Sequence, residues 1–283
     1  MRKLKEILIE NNFRFNHNLG QNFISDTNFL NKIVEHSGVM SNDVVVEIGT
    51  GAGTLTRALA AVAKKVYSFE VDERLQPILN ETLQGLENVE VIFKDILSMS
   101  DSDVTAIVPE NFKVVANIPY YITTALVMRF LESELKPQTI TVMVQKEVAN
   151  RFVAKKDTAD YGAITMAISL YGEASIVDQV SQTMFFPVPK VDSSLVRIDL
   201  SNKYCAEDKA LLQRLIKSAF AMRRKTFTNN LVSSFNITRT EAEQVLTELG
   251  FDVRIRGEVL GIDDMVMISK NATFLSLIKS KKN

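Results

Sequence analysis

From residue 44 onward, short β-branched runs alternate with amphipathic helical patterns, and that alternation leaves the chain very few architectures. The strand candidates are Val44–Ile48, 66–71, Val89–Phe93, 113–116 and 139–144, with helical stretches such as 55–63 and 125–131 between them. Strands separated by helices at this spacing predict a parallel sheet with helices on both faces. After Glu173 the rhythm changes to two strand-like runs, 174–180 and 194–200, with no helical pattern between them, which predicts an antiparallel hairpin at one sheet edge. From 206 the pattern reads as helix throughout: 206–221, 225–235, 239–249 and 263–278. Thr238 and Asp263 are the expected N-caps, and Gly250 the expected C-cap. The expected class is therefore α/β, a Rossmann-like domain over 1–203 followed by a small all-helical domain over 204–283.

The strand Val44–Ile48 runs straight into Gly49-Thr50-Gly51-Ala52-Gly53. Glycines here let the backbone turn sharply and let a ligand approach the main chain without a Cβ in the way. The third glycine comes one residue earlier than in the dinucleotide fingerprint. With Glu47 the run instead reads E-x-G-x-G-x-G, the pattern of Rossmann-like methyltransferases. Glu70 ends the next strand, 17 residues past Gly53, and its carboxylate is placed to accept both ribose hydroxyls of a nucleoside cofactor. Asp95 closes the third strand in the same manner. Ligands of such sheets sit beyond the carboxyl ends of the strands, so Glu47, Glu70 and Asp95 are expected to converge on one small molecule.

The fourth strand delivers Asn117-Ile118-Pro119-Tyr120. An adenine amine is a poor nucleophile because its lone pair is delocalised into the ring. A side-chain amide oxygen and a backbone carbonyl accepting its two N–H groups would draw the nitrogen toward tetrahedral geometry and free the lone pair for attack on a methyl donor. Asn117 and Ile118 offer those acceptors, Pro119 fixes φ and adds no donor, and Tyr120 offers a ring to stack on the base. The stiff segment Phe185-Phe186-Pro187-Val188-Pro189 would hold Phe185 as the opposite wall, and two aromatic walls suit a base swung out of its stack. This chemistry needs no metal. Cys205 is the single cysteine and His17 and His36 are the only histidines, so neither a disulfide nor a zinc site is expected.

The net charge of −1 conceals an asymmetry. Residues 205–283 carry 13 Lys+Arg against 9 Asp+Glu, leaving the rest of the chain at −5. A basic C-terminal segment behind an acidic, enzyme-like one suits an anionic partner. Within it, Arg223, Arg224 and Lys225 crowd the end of one helix, where they would contact phosphate or cap carbonyls. No apolar run approaches the roughly 18 residues of a membrane helix, and the N-terminus resembles neither a secretory nor a transit peptide, so a cytoplasmic monomer is expected.

Taken together, Gly20-Gln21-Asn22-Phe23 with the preceding Leu19, the Glu47–Gly53 loop, Asn117–Tyr120, Gln145–Ala149, Tyr161-Gly162, Phe185–Ser193 and Arg223–Thr226 resemble the small-subunit rRNA adenine dimethyltransferases, the KsgA family, over nearly the whole chain. The resemblance implies S-adenosylmethionine as methyl donor, S-adenosylhomocysteine as product, and four methyl transfers to two adjacent adenosines in a hairpin loop near the 3′ end of small-subunit rRNA. The partner it implies is a ribosomal subunit or its precursor. It also implies that Asn22, Ile24, Gly49, Gly51, Glu70, Asp95 and Asn117 line the cofactor site. Two positions depart from the family pattern: Asn16-His17-Asn18 stand where basic residues are usual, and Phe227 replaces an aliphatic residue. Three other readings compete. The large-subunit adenine dimethylases of macrolide resistance share the glycine loop and the Asn-x-Pro-Tyr turn, but the segment 219–226 resembles the small-subunit group. A non-catalytic assembly factor would not need an intact Asn117–Tyr120. A nicotinamide oxidoreductase is disfavoured by the glycine spacing.

Overall fold

The computed structural model describes residues 4–16, 20–201, 203–205 and 207–281. His17, Asn18 and Leu19, and with them most of the non-basic stretch singled out above, lie outside the described residues, as does Ala206. The described strands are β1 Phe23–Ile24, β2 Val44–Ile48, β3 Lys65–Glu70, β4 Val89–Phe93, β5 Phe112–Ala116, β6 Thr139–Gln145, β7 Gly172–Val180, β8 Phe185–Phe186 and β9 Ser193–Leu200. Seven of them form one sheet in the order β4-β3-β2-β5-β6-β9-β7, and β1 pairs with β8 in a separate two-stranded ribbon. The five strands β2 to β6 are parallel, and β9 runs antiparallel to β6 from Thr139↔Asp199 to Gln145↔Ser193. The edge pair expected from 174–180 and 194–200 is present, with the later strand lying inside and β7 at the edge.

Alternation along β5 explains how both faces are covered. Val115 joins an apolar cluster with Phe29, Leu30, Ile33 and Val34 of the helix Thr27–Ser37 and with Leu55 and Leu59 of the helix Thr54–Ala60. Phe112 points to the other face, where its ring meets Phe130 of the helix Tyr120–Glu132 edge-on at 6.3 Å. The chain returns across the sheet between β4 and β5, so β2 lies between β3 and β5. The loops at the carboxyl ends of β2 and β5 therefore diverge, and such a switch point opens a crevice.

By its contacts the chain forms two compact units, Met1–Ala149 with Ala174–Leu200, and Asn150–Glu173 with Ser201–Asn283. The linear division at 203/204 differs from this because residues 150–173 pack with the C-terminal helices. Within the second unit the Tyr161 hydroxyl donates to the Leu260 carbonyl at 3.0 Å, its ring meets Phe220, and burial pushes its pKa up to about 12. The Tyr171 hydroxyl accepts from Gln213. The second unit is helical as expected, with two differences. The pattern over 263–278 is two helices, Ile262–Lys270 and Ala272–Ser280, because the Asn271 side chain turns to accept from Phe274 N–H and starts a new helix. Gly261, not Asp263, is the N-cap of the first, and Asp263 instead accepts the Tyr204 hydroxyl at 2.6 Å. Thr238 caps its helix through a reciprocal pair with Glu241, and Gly250 sits at φ 77° just past that helix. Among the described residues no helix is long and apolar enough to cross a membrane.

Candidate active site

The carboxyl ends of β2 to β5 open onto one cleft in the first unit. Its lining includes Asn22, Ile24, Gly49, Gly51, Glu70, Asp95, Asn117, Ile118, Pro119, Tyr120 and Phe185. Eleven residues singled out from distant parts of the sequence thus meet around one space.

The glycine loop explains its composition directly. Gly49, Gly51 and Gly53 have φ of 82°, 54° and 78°, the left-handed region that costs other residues roughly 1 kcal/mol or more. A Cβ on Gly49 would also come within 3.0 Å of Ile118 Cγ2 and 3.2 Å of the Asn117 carbonyl oxygen. The loop is tied to β3 by Glu70, whose Oε2 accepts from Gly51 N–H at 2.8 Å while Oε1 accepts from Val71 and Asp72 N–H. Burial raises the Glu70 pKa, and the three N–H donors oppose that rise. Two carboxylate oxygens offer about four lone-pair sites, so Glu70 has room for one further donor rather than for both hydroxyls of a ribose.

Glu47 departs from the expectation of three converging acids. It is fully buried beneath the helix Thr54–Ala60 and does not line the cleft. Its Oε2 accepts the Ser68 hydroxyl at 2.6 Å, and Ser68 in turn lies 2.6 Å from the Thr50 hydroxyl in the glycine loop. Desolvation pushes the Glu47 pKa from an ordinary 4.5 up to about 8, against the pull of the Ser68 and Thr56 hydroxyls. The physical reason is position: Glu70 is the last residue of β3 and reaches the loop, while Glu47 stands one residue inside β2. Asp95 is exposed at the cleft edge, where Oδ1 accepts from Leu97 N–H.

The N-terminal segment binds these parts together. Gly20 (φ 52°) lies so close to Pro119 that a Cβ would meet its ring at 3.0 Å. Asn117 Nδ2 donates to the Asn22 carbonyl at 3.3 Å, and the Thr54 hydroxyl donates to the Ile24 carbonyl. The Phe23 ring covers Gly51, and β1 pairs with β8 so that Ile24 faces Phe185. Gln21 bridges the Asn16 N–H and Asp72, whose carboxyl pKa the Arg74 guanidinium holds low. Asn22 and Ile24 belong to the site because of these long-range contacts, which no local spacing announces.

Pro119 precedes the first turn of the helix Tyr120–Glu132, so Tyr120 begins a helix where the sequence suggested a turn. Its hydroxyl pairs with the buried Ser193 hydroxyl at 2.6 Å, which fixes the ring against β9, and burial raises its pKa. Phe185 is buried in the core cluster as well as lining the cleft, while Phe186 is exposed beneath the Lys5 ammonium, 4.7 Å from its ring centre. The cleft also takes in residues that sequence reading passed over: Phe69, Ile96, Leu97 and Tyr121. Lys94 is the one basic side chain among the described lining residues. Arg223, Arg224 and Lys225 are exposed in the second unit and do not line the cleft; Arg223 donates to the Ala159 carbonyl rather than to a helix end.

The family model described as ribosomal RNA adenine dimethylase matches residues 12–260. The chain belongs to that family. It is 42% identical to the ribosomal RNA small subunit methyltransferase A of Bacillus licheniformis, over 94% of each chain. Identity to the protein of the same name from Geobacillus thermodenitrificans is 41%, again over 94% of each. Among solved structures, the 23S rRNA methyltransferase ErmE is 30% identical with a TM-score of 0.67, covering 88% of this chain and 98% of its own. A dimethyladenosine transferase from Plasmodium falciparum shares the fold, with a TM-score of 0.76 at 24% identity over 87% and 95% of the two chains. In this adenine dimethylase the cleft chemistry suits a nucleoside methyl donor. Bare glycine backbone, two carboxylates and a single lysine would receive a cationic nucleoside readily and a pyrophosphate poorly.

Proposed function

We propose that the protein transfers methyl groups from S-adenosylmethionine to the exocyclic amines of two adjacent adenosines in a hairpin loop near the 3′ end of small-subunit rRNA. It would act as a cytoplasmic monomer on a ribosomal subunit or its precursor. The observation that carries the reading is Asn117-Ile118-Pro119-Tyr120 at the end of β5, facing the same cleft as the glycine loop and Glu70. The small-subunit assignment is supported by relatives of that name at 42% identity, against 30% for the large-subunit enzyme.

Bound S-adenosylmethionine supplies an electrophilic sulfonium methyl. Asn22, Ile24, Gly49, Gly51, Glu70, Asp95 and Asn117 are the residues to hold it. Because Asn117 Nδ2 is engaged by the Asn22 carbonyl, its Oδ1 is left as an acceptor for one N–H of the adenine amine. The Ile118 carbonyl is the second acceptor, and together they pull the nitrogen out of conjugation. Tyr120, anchored through Ser193, stacks on the base from one side, with Phe185 as the opposite wall. Once methylated, the nitrogen is cationic and its proton leaves without a dedicated base. Arg223, Arg224 and Lys225 contact rRNA phosphate.

The experiment incubates the protein with labelled S-adenosylmethionine and unmethylated small or large subunits, then maps the modified bases. Label on two neighbouring adenosines of small-subunit rRNA is the expected result. Label on large-subunit rRNA would replace the assignment, and tight particle binding without any transfer would favour an assembly factor.

A further inference from the structure

Tyr121 is 69% exposed although it lines the cleft, and no hydrogen bond, ion pair or ring contact holds its side chain among the described residues. Its neighbour Tyr120 is the opposite case, half-buried with its hydroxyl tied to Ser193. The two Cα atoms are about 3.8 Å apart across one peptide bond. Successive residues of a helix point about 100° apart, so one ring faces inward and the other stands at the rim of the same cleft. The turn that presents both is packed closely against Gly20 through Pro119. A large aromatic ring left bare at the mouth of a cleft is an unfilled stacking surface, and bases stack on such rings whatever their sequence.

We propose that Tyr121 is a second stacking platform, which holds the base adjoining the adenosine under methylation. The inference rests on the RNA adenine methylation proposed above and adds a subsite to it. While one adenosine occupies the inner pocket walled by Tyr120, its neighbour rests on Tyr121. The strand is thereby kept splayed at that step, and the second adenosine waits one ring away from the first. This contact is the same before and during methyl transfer, so it acts on substrate binding and not on the chemical step.

The test compares wild type, Tyr121→Ala and Tyr121→Phe on unmethylated small subunits, measuring KM for the subunit, kcat, and S-adenosylhomocysteine affinity by calorimetry. Tyr121→Ala should raise KM about tenfold, with kcat within about twofold of wild type and S-adenosylhomocysteine affinity unchanged. Tyr121→Phe should restore KM, because the ring and not the hydroxyl makes the contact. A KM unchanged in Tyr121→Ala overturns the inference while leaving the methylation reading intact, as does a Tyr121→Phe variant as impaired as the alanine. If kcat falls and KM does not, Tyr121 serves the reaction in another way and the platform is refuted. Wild-type protein that transfers no methyl to any subunit overturns the methylation reading and this inference with it.

Discussion

Replacing Glu47 by Gln tests whether a neutral acid lies under the glycine loop. The carboxyl is fully buried, its Oε2 is held by one hydroxyl, and no well-formed partner meets its Oε1. Its pKa stands at about 8 in the folded chain, against an ordinary 4.5. Between those values the unfolded chain has released the proton and the folded chain retains it. The unfolded state then binds one proton fewer, so stability falls by about 1.4 kcal/mol per pH unit as pH rises. The contribution is whole below about pH 4.5 and lost once pH passes about 8, a total on the order of 5 kcal/mol. Gln is isosteric and carries no charge, so the variant should lack this slope. Urea unfolding of both proteins between pH 5 and 8.5, followed through the step that melts the sheet unit, should show a stability gap that widens with pH in favour of Glu47→Gln. Carboxyls with lowered pKa, such as Asp72 and Asp101, have finished titrating in this range and cannot produce the gap. A gap constant to within about 0.5 kcal/mol across the range, or one that narrows, would refute a buried neutral Glu47.

Three further outcomes are expected. Glu70→Ala removes a charged acceptor and frees Gly51 N–H, so S-adenosylmethionine affinity should fall at least about tenfold by calorimetry, a charge-assisted hydrogen bond being worth roughly 1.5–3 kcal/mol. Asn117→Ala should lower kcat by orders of magnitude while particle binding stays nearly intact, since its acceptor counts most when the amine is tetrahedral; near wild-type single-turnover rates would refute the role. Replacing Arg223, Arg224 and Lys225 together by Ala should weaken RNA binding across sequences and flatten the log-affinity against log-salt slope by up to roughly 0.7–0.9 per lost phosphate contact; an unchanged slope would remove them from the interface.

Much of the sheet was legible because each parallel strand is a short β-branched run bounded by turn signals, and β2 and β4 match their expected ranges residue for residue. The cleft was legible where its residues sit at strand ends, as with Glu70, Asp95 and Asn117. Three features escaped. The ribbon of β1 and β8 joins two-residue strands far apart in the chain, at Phe23↔Phe186 and Ile24↔Phe185, in a register set only by tertiary packing. The break at Asn271 interrupts an apolar periodicity that continues across it, so only the cap reveals it. Residues 150–173 sit between two segments of the sheet unit in sequence, and only tertiary contacts such as those of Tyr161 with Leu260 and Phe220 assign them to the helices.

The two glutamates at the cofactor end show why a strand-end carboxylate is an incomplete signal. Both stand near the carboxyl ends of hydrophobic strands, both are buried, and desolvation raises the pKa of each. Three main-chain N–H groups converge on Glu70, and charge-assisted hydrogen bonds of that kind stabilise an ionised acceptor with capacity left for a donor from a ligand. Glu47 meets only side-chain hydroxyls and no main-chain donor, so the same residue type is retained as a neutral acid linked through Ser68 to Thr50. The difference arises from a single residue of register: β3 ends on its glutamate, where the chain turns and exposes its N–H groups, whereas β2 continues to Ile48 and uses its N–H groups in the ladder. The carboxylate that terminates its strand therefore faces the cleft, and the carboxyl one position earlier supports the loop from beneath.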